Sequence, residues 1–207
     1  LFDYLIKNRK NKIPSEKAIE YYKQSLEHLA EMQTVAALGY DYDYTRPVRC
    51  FDKKSILWDL NYFKYYYLLP SHSPFDEYKL QSEFEKIADH LLDAPSGFFM
   101  FRDFQSRNIM IRDDKVWFID YQGGRKGALQ YDVASLLWQA RAELPEDLKS
   151  ELLNYYIQSL KRRISFDEEE FRKFYEGFVL IRVLQTLGAY GFRGLFEQKA
   201  HFVLSIP

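Results

Sequence analysis

The sequence predicts an α+β fold that is mostly α-helical, with its β-structure gathered in one small patch. Three observations predict it. Apolar residues recur at one-face helical spacing in the first and last thirds of the chain. Three short apolar runs cluster between Phe98 and Ile119. Pro, Gly and Asp residues fall between these segments, where turns and helix caps need them.

Taken in order, Ile19, Tyr22, Leu26, Leu29 and Ala36 share a face, with Ser15 placed to cap the start and Gly39 to stop the end. This spacing predicts a helix over residues 16–38. Tyr40 to Phe51 reads as a loop. A second helix fits residues 54–69, ending at Pro70. Ser73-Pro74 opens a third, with Phe84, Ile87, Ala88 and Leu91 on its apolar side, and Pro95-Ser96-Gly97 closes it. After Gly123, Gly124 and Gly127 the helical pattern returns. Tyr131 to Ala142 is one segment, Pro145 begins another that reaches Arg163, and Asp167 to Glu170 place negative charge at the start of a third that runs to Leu187. Gly188, Gly191 and Gly194 read as breaks at helix ends, followed by a short helix over Leu195 to Leu204.

The middle is different in kind. Phe98-Phe99-Met100-Phe101 is a short aromatic run. Ile109-Met110-Ile111 and Val116-Trp117-Phe118-Ile119 flank the polar turn Asp113-Asp114-Lys115, which predicts a β-hairpin. The charge run Lys7 to Lys12 reads as a solvated connection, and so do Asp41, Asp43 and Asp59 as a solvated acidic face.

Composition narrows the function. The chain has 207 residues, with 29 Lys+Arg against 30 Asp+Glu and a net charge of −1. Such a balance gives no long-range positive field for nucleic acid. No apolar run approaches the roughly 18 residues that span a bilayer. One cysteine, Cys50, excludes an intramolecular disulfide framework, and a cytoplasmic location is the expectation.

The chemistry concentrates in Phe101-Arg102-Asp103-Phe104-Gln105-Ser106-Arg107-Asn108 and in Ile119-Asp120-Tyr121-Gln122. Asp103 and Asn108 lie on the loop before the hairpin, and Asp120 closes it. Three oxygen-bearing side chains are thus expected at one end of the hairpin. Hard oxygen donors suit Mg²⁺, which keeps waters and bridges to substrate phosphates. A carboxylate not needed for metal can accept a hydroxyl proton.

The pattern resembles the protein-kinase catalytic loop H-R-D-x-x-x-x-N followed by the metal-binding Asp of D-F-G. It is more similar to the aminoglycoside phosphotransferase and choline-kinase branch, where the metal Asp follows an Ile. With Tyr131-Asp132-Val133-Ala134-Ser135-Leu136-Leu137 added, it most resembles bacterial cell-wall amino-sugar kinases acting on N-acetylmuramate and N-acetylglucosamine. The similarity is dense over residues 98–138 and diffuse elsewhere. The resemblance implies a protein-kinase-like C-terminal lobe in which the β-hairpin patch carries the catalytic and metal loops. Asp103 would be the catalytic base, and Asn108 and Asp120 the metal ligands. Gln105 and Arg107 would meet substrate, while Phe101 and Asp132 would support the loop. ATP is the implied co-substrate, Mg²⁺ the cofactor and a small-molecule hydroxyl the acceptor.

There are two departures. Phe101 stands where the family usually has His, so the loop loses a hydrogen bond there. No G-x-G-x-x-G, Walker motif or V-A-I-K strand occurs. In the family those features belong to an N-terminal nucleotide-clamping lobe. Residues 1–15 are therefore expected to be the segment leaving the inter-lobe hinge, and residues 16–207 the helical C-terminal lobe, with the N-terminal lobe absent from this chain. Two function classes follow: a phosphotransferase, or a catalytically weak pseudokinase that binds nucleotide or protein. The 207 residues alone are expected to bind ATP weakly, and calorimetry giving tight binding would contradict that.

Overall fold

The computed structural model describes residues 1–45, 47–199 and 202. It begins with a short helix, α1 (Phe2–Lys7), followed by a tight hairpin of β1 (Arg9–Lys10) and β2 (Ile13–Pro14). Asn11 (φ 49°) and Lys12 (φ 66°) are both left-handed, as a two-residue type I′ turn requires. The charge run expected to be a simple connection is thus a second β element. Glu143 pairs with Arg9 and Lys12, at 3.2 and 2.8 Å, and ties the hairpin to the body.

Ser15 caps α2 (Glu16–Thr34), its hydroxyl accepting the Ala18 N–H at 3.3 Å. Tyr22, Leu26 and Leu29 on its inner face are fully buried. The α-helix stops at Thr34, whose hydroxyl donates to the Ala30 carbonyl at 2.6 Å and competes with the backbone ladder. Residues Ala36–Gly39 then tighten into a 3₁₀ turn. Asp52 caps α3 (Lys53–Phe63), which widens into a π-turn over Lys64–Leu68. The next helix, α4 (Glu77–Leu92), starts later than Ser73-Pro74 because Asp76 is the residue that caps it, accepting the Lys79 N–H at 3.0 Å.

The β patch follows. It contains β3 (Phe98–Met100), β4 (Ile109–Arg112), β5 (Lys115–Phe118) and β6 (Arg125–Gly127). The expected hairpin is β4–β5, turning through left-handed Asp113 (φ 53°) and Asp114 (φ 57°). β3 pairs antiparallel with β6, Phe98 lying opposite Gly127. β6 has no apolar run to announce it. Gly127 instead lies against the Met100 side chain, where a Cβ would not fit.

Three helices complete the body. α5 (Gln130–Leu137) is buried along its whole length. α6 (Glu146–Lys161) begins after Pro145 and packs on α2. α7 (Glu168–Gly191) is capped by Asp167, which accepts the N–H groups of Glu169 and Glu170, and it crosses both α3 and α5. Among the described residues no helix is long and apolar enough to cross a membrane.

Gly188 and Gly191, expected as helix breaks, lie inside α7. They allow its backbone to touch the end of α3 and the π-turn after it. A Cβ at Gly188 would lie 2.9 Å from the backbone of Tyr62 and Phe63, and one at Gly191 would collide with the Tyr66 carbonyl. The helix runs on into a π-turn at Phe192–Phe196, whose rings pack on Tyr62 and Tyr66. The short helix expected over Leu195 to Leu204 falls mostly outside the described residues. Helix propensity alone would make Gly191→Ala stabilising by about 1 kcal/mol. Contact with a fixed carbonyl reverses the sign. A loss of about 1–3 kcal/mol is expected, read by urea denaturation.

Candidate active site

The loop between β3 and β4 hangs on two buried rings and one buried carboxylate. Phe101 and Phe104 point inward, their rings edge to face at 5.4 Å, and Phe104 stacks on Phe118 of β5. Phe101 thus fills its position by packing. The backbone between these rings is held by Asp132 of α5. Its Oδ2 accepts the Phe101 N–H at 2.7 Å and its Oδ1 the Arg102 N–H at 2.9 Å. Gln33 of α2 donates a third bond, at 3.2 Å, and is itself fixed by the Tyr156 hydroxyl of α6. Burial pushes the Asp132 carboxyl up to about 6, against the pull of the two backbone donors and Arg182.

Arg102 was not singled out in the sequence, yet it locks the loop from outside. Its backbone is left-handed (φ 80°), a conformation that costs a non-glycine residue energy and needs outside support. Its guanidinium makes two parallel bonds to Asp59 of α3, at 2.8 and 2.7 Å. It also lies against the rings of Phe51 and Tyr131. Asp59, expected on a solvated face, is 2% exposed and belongs to this buried pair. Burial lowers the Arg102 affinity for its proton, but Tyr131 and Asp59 more than offset this, and the net shift is upward. Arg182 of α7 donates to the Tyr131 hydroxyl at 2.9 Å, tying the helix to the same cluster. Burial pushes that hydroxyl up to about 12, opposed by Arg102 and Arg182.

With the loop so held, the three oxygen-bearing side chains meet. Asn108 Nδ2 donates to the Asp103 carbonyl at 3.0 Å, to Asp103 Oδ2 at 3.1 Å and to Asp120 Oδ2 at 3.4 Å. The Asn108 backbone carbonyl accepts the Ile119 N–H at 3.1 Å, which fixes the strand leading into Asp120. Asp120 is left-handed (φ 70°), the second such residue here. Gln105 donates to Asp103 and Gln122 to Asp120, so each carboxylate is oriented by a neighbouring amide. Ser106 is anchored through its N–H and hydroxyl to Gln139 Oε1, at 3.0 and 2.6 Å, which leaves Arg107 exposed on the outer side.

The donor set can be tested against a cation. Among the described residues no three His, Cys, Asp or Glu side chains converge on a metal site. The set is two carboxylates and one amide. Asn108 Nδ2 faces both carboxylates, at 3.1 Å from Asp103 Oδ2 and 3.4 Å from Asp120 Oδ2, so Oδ1 is the face of the amide left for a ligand. A hard divalent cation takes oxygen donors and fills its remaining positions from phosphate and water, and Asp120, with Asn108 through Oδ1, could hold one.

Two depressions flank the loop. A trough of about 1110 Å³ is lined by Met32, Tyr40, Phe99, Phe118 and Tyr121 and contains none of the three polar residues. A smaller cleft of about 200 Å³ opens beside Asp103, against the C-terminal half of α7. Gln105 and Arg107 both line it. If Asp132 is the clamp, Asp132→Asn is expected to cost about 2 kcal/mol, because the amide cannot accept from both backbone N–H groups. Urea denaturation at neutral pH reads that loss.

Comparison with known proteins agrees with this architecture. Residues 10–174 match the model of the phosphotransferase enzyme family. The N-acetylmuramate/N-acetylglucosamine kinase of Neisseria meningitidis serogroup B is 24% identical over 171 residues, covering 81% of this chain and 49% of that protein. The chain therefore spans about half the length of this curated relative. Among solved structures, the ethanolamine kinase of Plasmodium vivax is similar with a TM-score of 0.60 at 14% identity, over 91% of this chain and 57% of that one. The choline kinase of Cryptosporidium parvum gives 0.56 at 11%, over 91% and 65%. An ADP-bound aminoglycoside phosphotransferase gives 0.53 at 15%, over 92% and 64%. The fold is protein-kinase-like, and the chain belongs to the phosphotransferase enzyme family.

Proposed function

We propose that the protein carrying this chain transfers the γ-phosphoryl group of ATP to a hydroxyl of a small molecule, and that the acceptor is an amino sugar. The observation that carries the reading is the Asn108 amide joining Asp103 and Asp120 at the mouth of the β4–β5 hairpin. The amino-sugar assignment is supported by the Neisseria relative and by the motif string over residues 98–138.

In this reading Asp103 accepts the proton of the acceptor hydroxyl as that oxygen bonds to the γ-phosphorus. The bond from the γ-phosphorus to the β,γ-bridging oxygen breaks, and ADP leaves with its electron pair. Asp120 and Asn108 would hold a Mg²⁺ ion, which would supply neutralisation of phosphate charge. Gln105 keeps one Asp103 oxygen oriented, and the Asn108 amide holds the other. Asp132 and the Asp59–Arg102 pair act on the reaction only through the loop's position. The second reading, a catalytically weak pseudokinase, rests on Phe101 in place of His. A Mg-ATP thermal shift with no turnover on any acceptor would favour it.

A coupled ADP-release assay on the intact protein, screened over amino sugars and aminoglycosides, tests the first reading. Asp103→Asn is expected to lower turnover by about 10²–10⁴-fold without loss of fold. Asp120→Ala is expected to abolish turnover and weaken Mg-ATP binding. Full activity in both variants would refute the assignment.

A further inference from the structure

The cleft beside Asp103 is built for negative charge. Its walls carry three arginines, Arg107, Arg182 and Arg193, against one acid, Asp103 itself. Among the described residues no direct ion pair engages Arg107, Arg182 or Arg193, although Lys199, joined by the charge of Arg193, lowers the Glu197 carboxyl. Two of its lining side chains, each 8% exposed, also hold donors with no partner. These are Arg182 Nε and Gln139 Nε2. The rest of each side chain is engaged. Arg182 Nη1 donates to Tyr131 and Gln185, and Gln139 Oε1 accepts from Ser106. The unpartnered groups are therefore fixed in place rather than free to turn elsewhere. A wall of guanidinium charge and spare N–H groups asks for an acceptor-rich anion, and guanidinium favours carboxylate or phosphate.

We infer that the acceptor is itself anionic: a hydroxylated small molecule whose carboxylate or phosphate seats on Arg107 and Arg193 and whose hydroxyl meets Asp103. This rests on the reading of Asp103 given above and deepens it, because the same wall opposes an ammonium-bearing acceptor. Arg107 and Arg193 reach the cleft from different elements, the loop before β4 and the π-turn after α7. Both are exposed, so replacing either leaves the core intact.

Calorimetry on the intact protein tests this with three probes: N-acetylmuramate, its neutral primary amide and N-acetylglucosamine 6-phosphate. One anion is expected to bind at least about tenfold more tightly than the amide, and which one does so identifies the charged group. Arg193→Gln and Arg107→Gln should each bring that ratio close to one. Equal binding of all three probes, no binding of any, or a preference that survives both substitutions would overturn the inference. Displacement of the anion by ATP would also overturn it, by assigning the arginines to the nucleotide. The two readings fail separately. Turnover of neutral or cationic acceptors without preference for an anion refutes the charged cleft and leaves the phosphotransferase. Anion-selective binding with no transfer to any acceptor does the reverse.

Discussion

The site depends on one buried carboxylate. Asp132 accepts the N–H groups of Phe101 and Arg102, so the chain leaves β3 in a single direction and Asp103 points where Asn108 can reach it. Holding a carboxylate in the interior is costly, and burial does raise its proton affinity. Three N–H donors offset part of that cost, two from the loop backbone and one from Gln33, and the packed helices hold the group in place. α2 contributes Gln33, α5 contributes Asp132 and α6 contributes Tyr156. The helical body thus holds the loop from behind, while the Asp59–Arg102 pair and its aromatic neighbours hold it from the side.

Rigidity of this kind suits phosphoryl transfer, which asks for position and charge more than for covalent chemistry. Both non-glycine residues with left-handed backbone at the site, Arg102 and Asp120, immediately precede or are one of the polar groups in question. Such conformations persist only where surroundings over-determine them. Here the bidentate ion pair fixes Arg102, and the hydrogen bond from Ile119 to Asn108 fixes the approach to Asp120. Arg182 and Arg193, on the α7 side, line the opening beside Asp103.

How much of this could be read in the sequence follows from how local each signal is. The β4–β5 hairpin was legible because its apolar runs and polar turn adjoin, and the meeting of Asp103, Asn108 and Asp120 because they bracket it. The Asp59–Arg102 pair was not, since its members are 43 residues apart and an isolated Asp on a helix reads as surface. β6 escaped because a strand written Arg125-Lys126-Gly127 has no apolar pattern, and its partners, β3 on one side and the backbone around Cys50 on the other, are fixed only by the fold. Gly188 and Gly191 misled for a related reason. Glycine marks both a helix stop and a close helix contact, and only the position of Tyr62 and Tyr66 decides between them. The arginine-lined cleft draws on the loop between β3 and β4, α5 and α7 together, so no single window of sequence displays it.

In the proposed reaction Asn108, Asp103 and Asp120 form a metal–nucleotide site. Side-chain amide spectra of the intact protein with Mn²⁺ and a non-hydrolysable ATP analogue test it most directly. Paramagnetic broadening is expected to remove the Asn108 signal first, followed by Gln105 and Gln122, and Asp120→Ala is expected to restore all three. Broadening centred on amides elsewhere, such as Gln24 or Asn154, with the Asn108 signal unchanged, would contradict it.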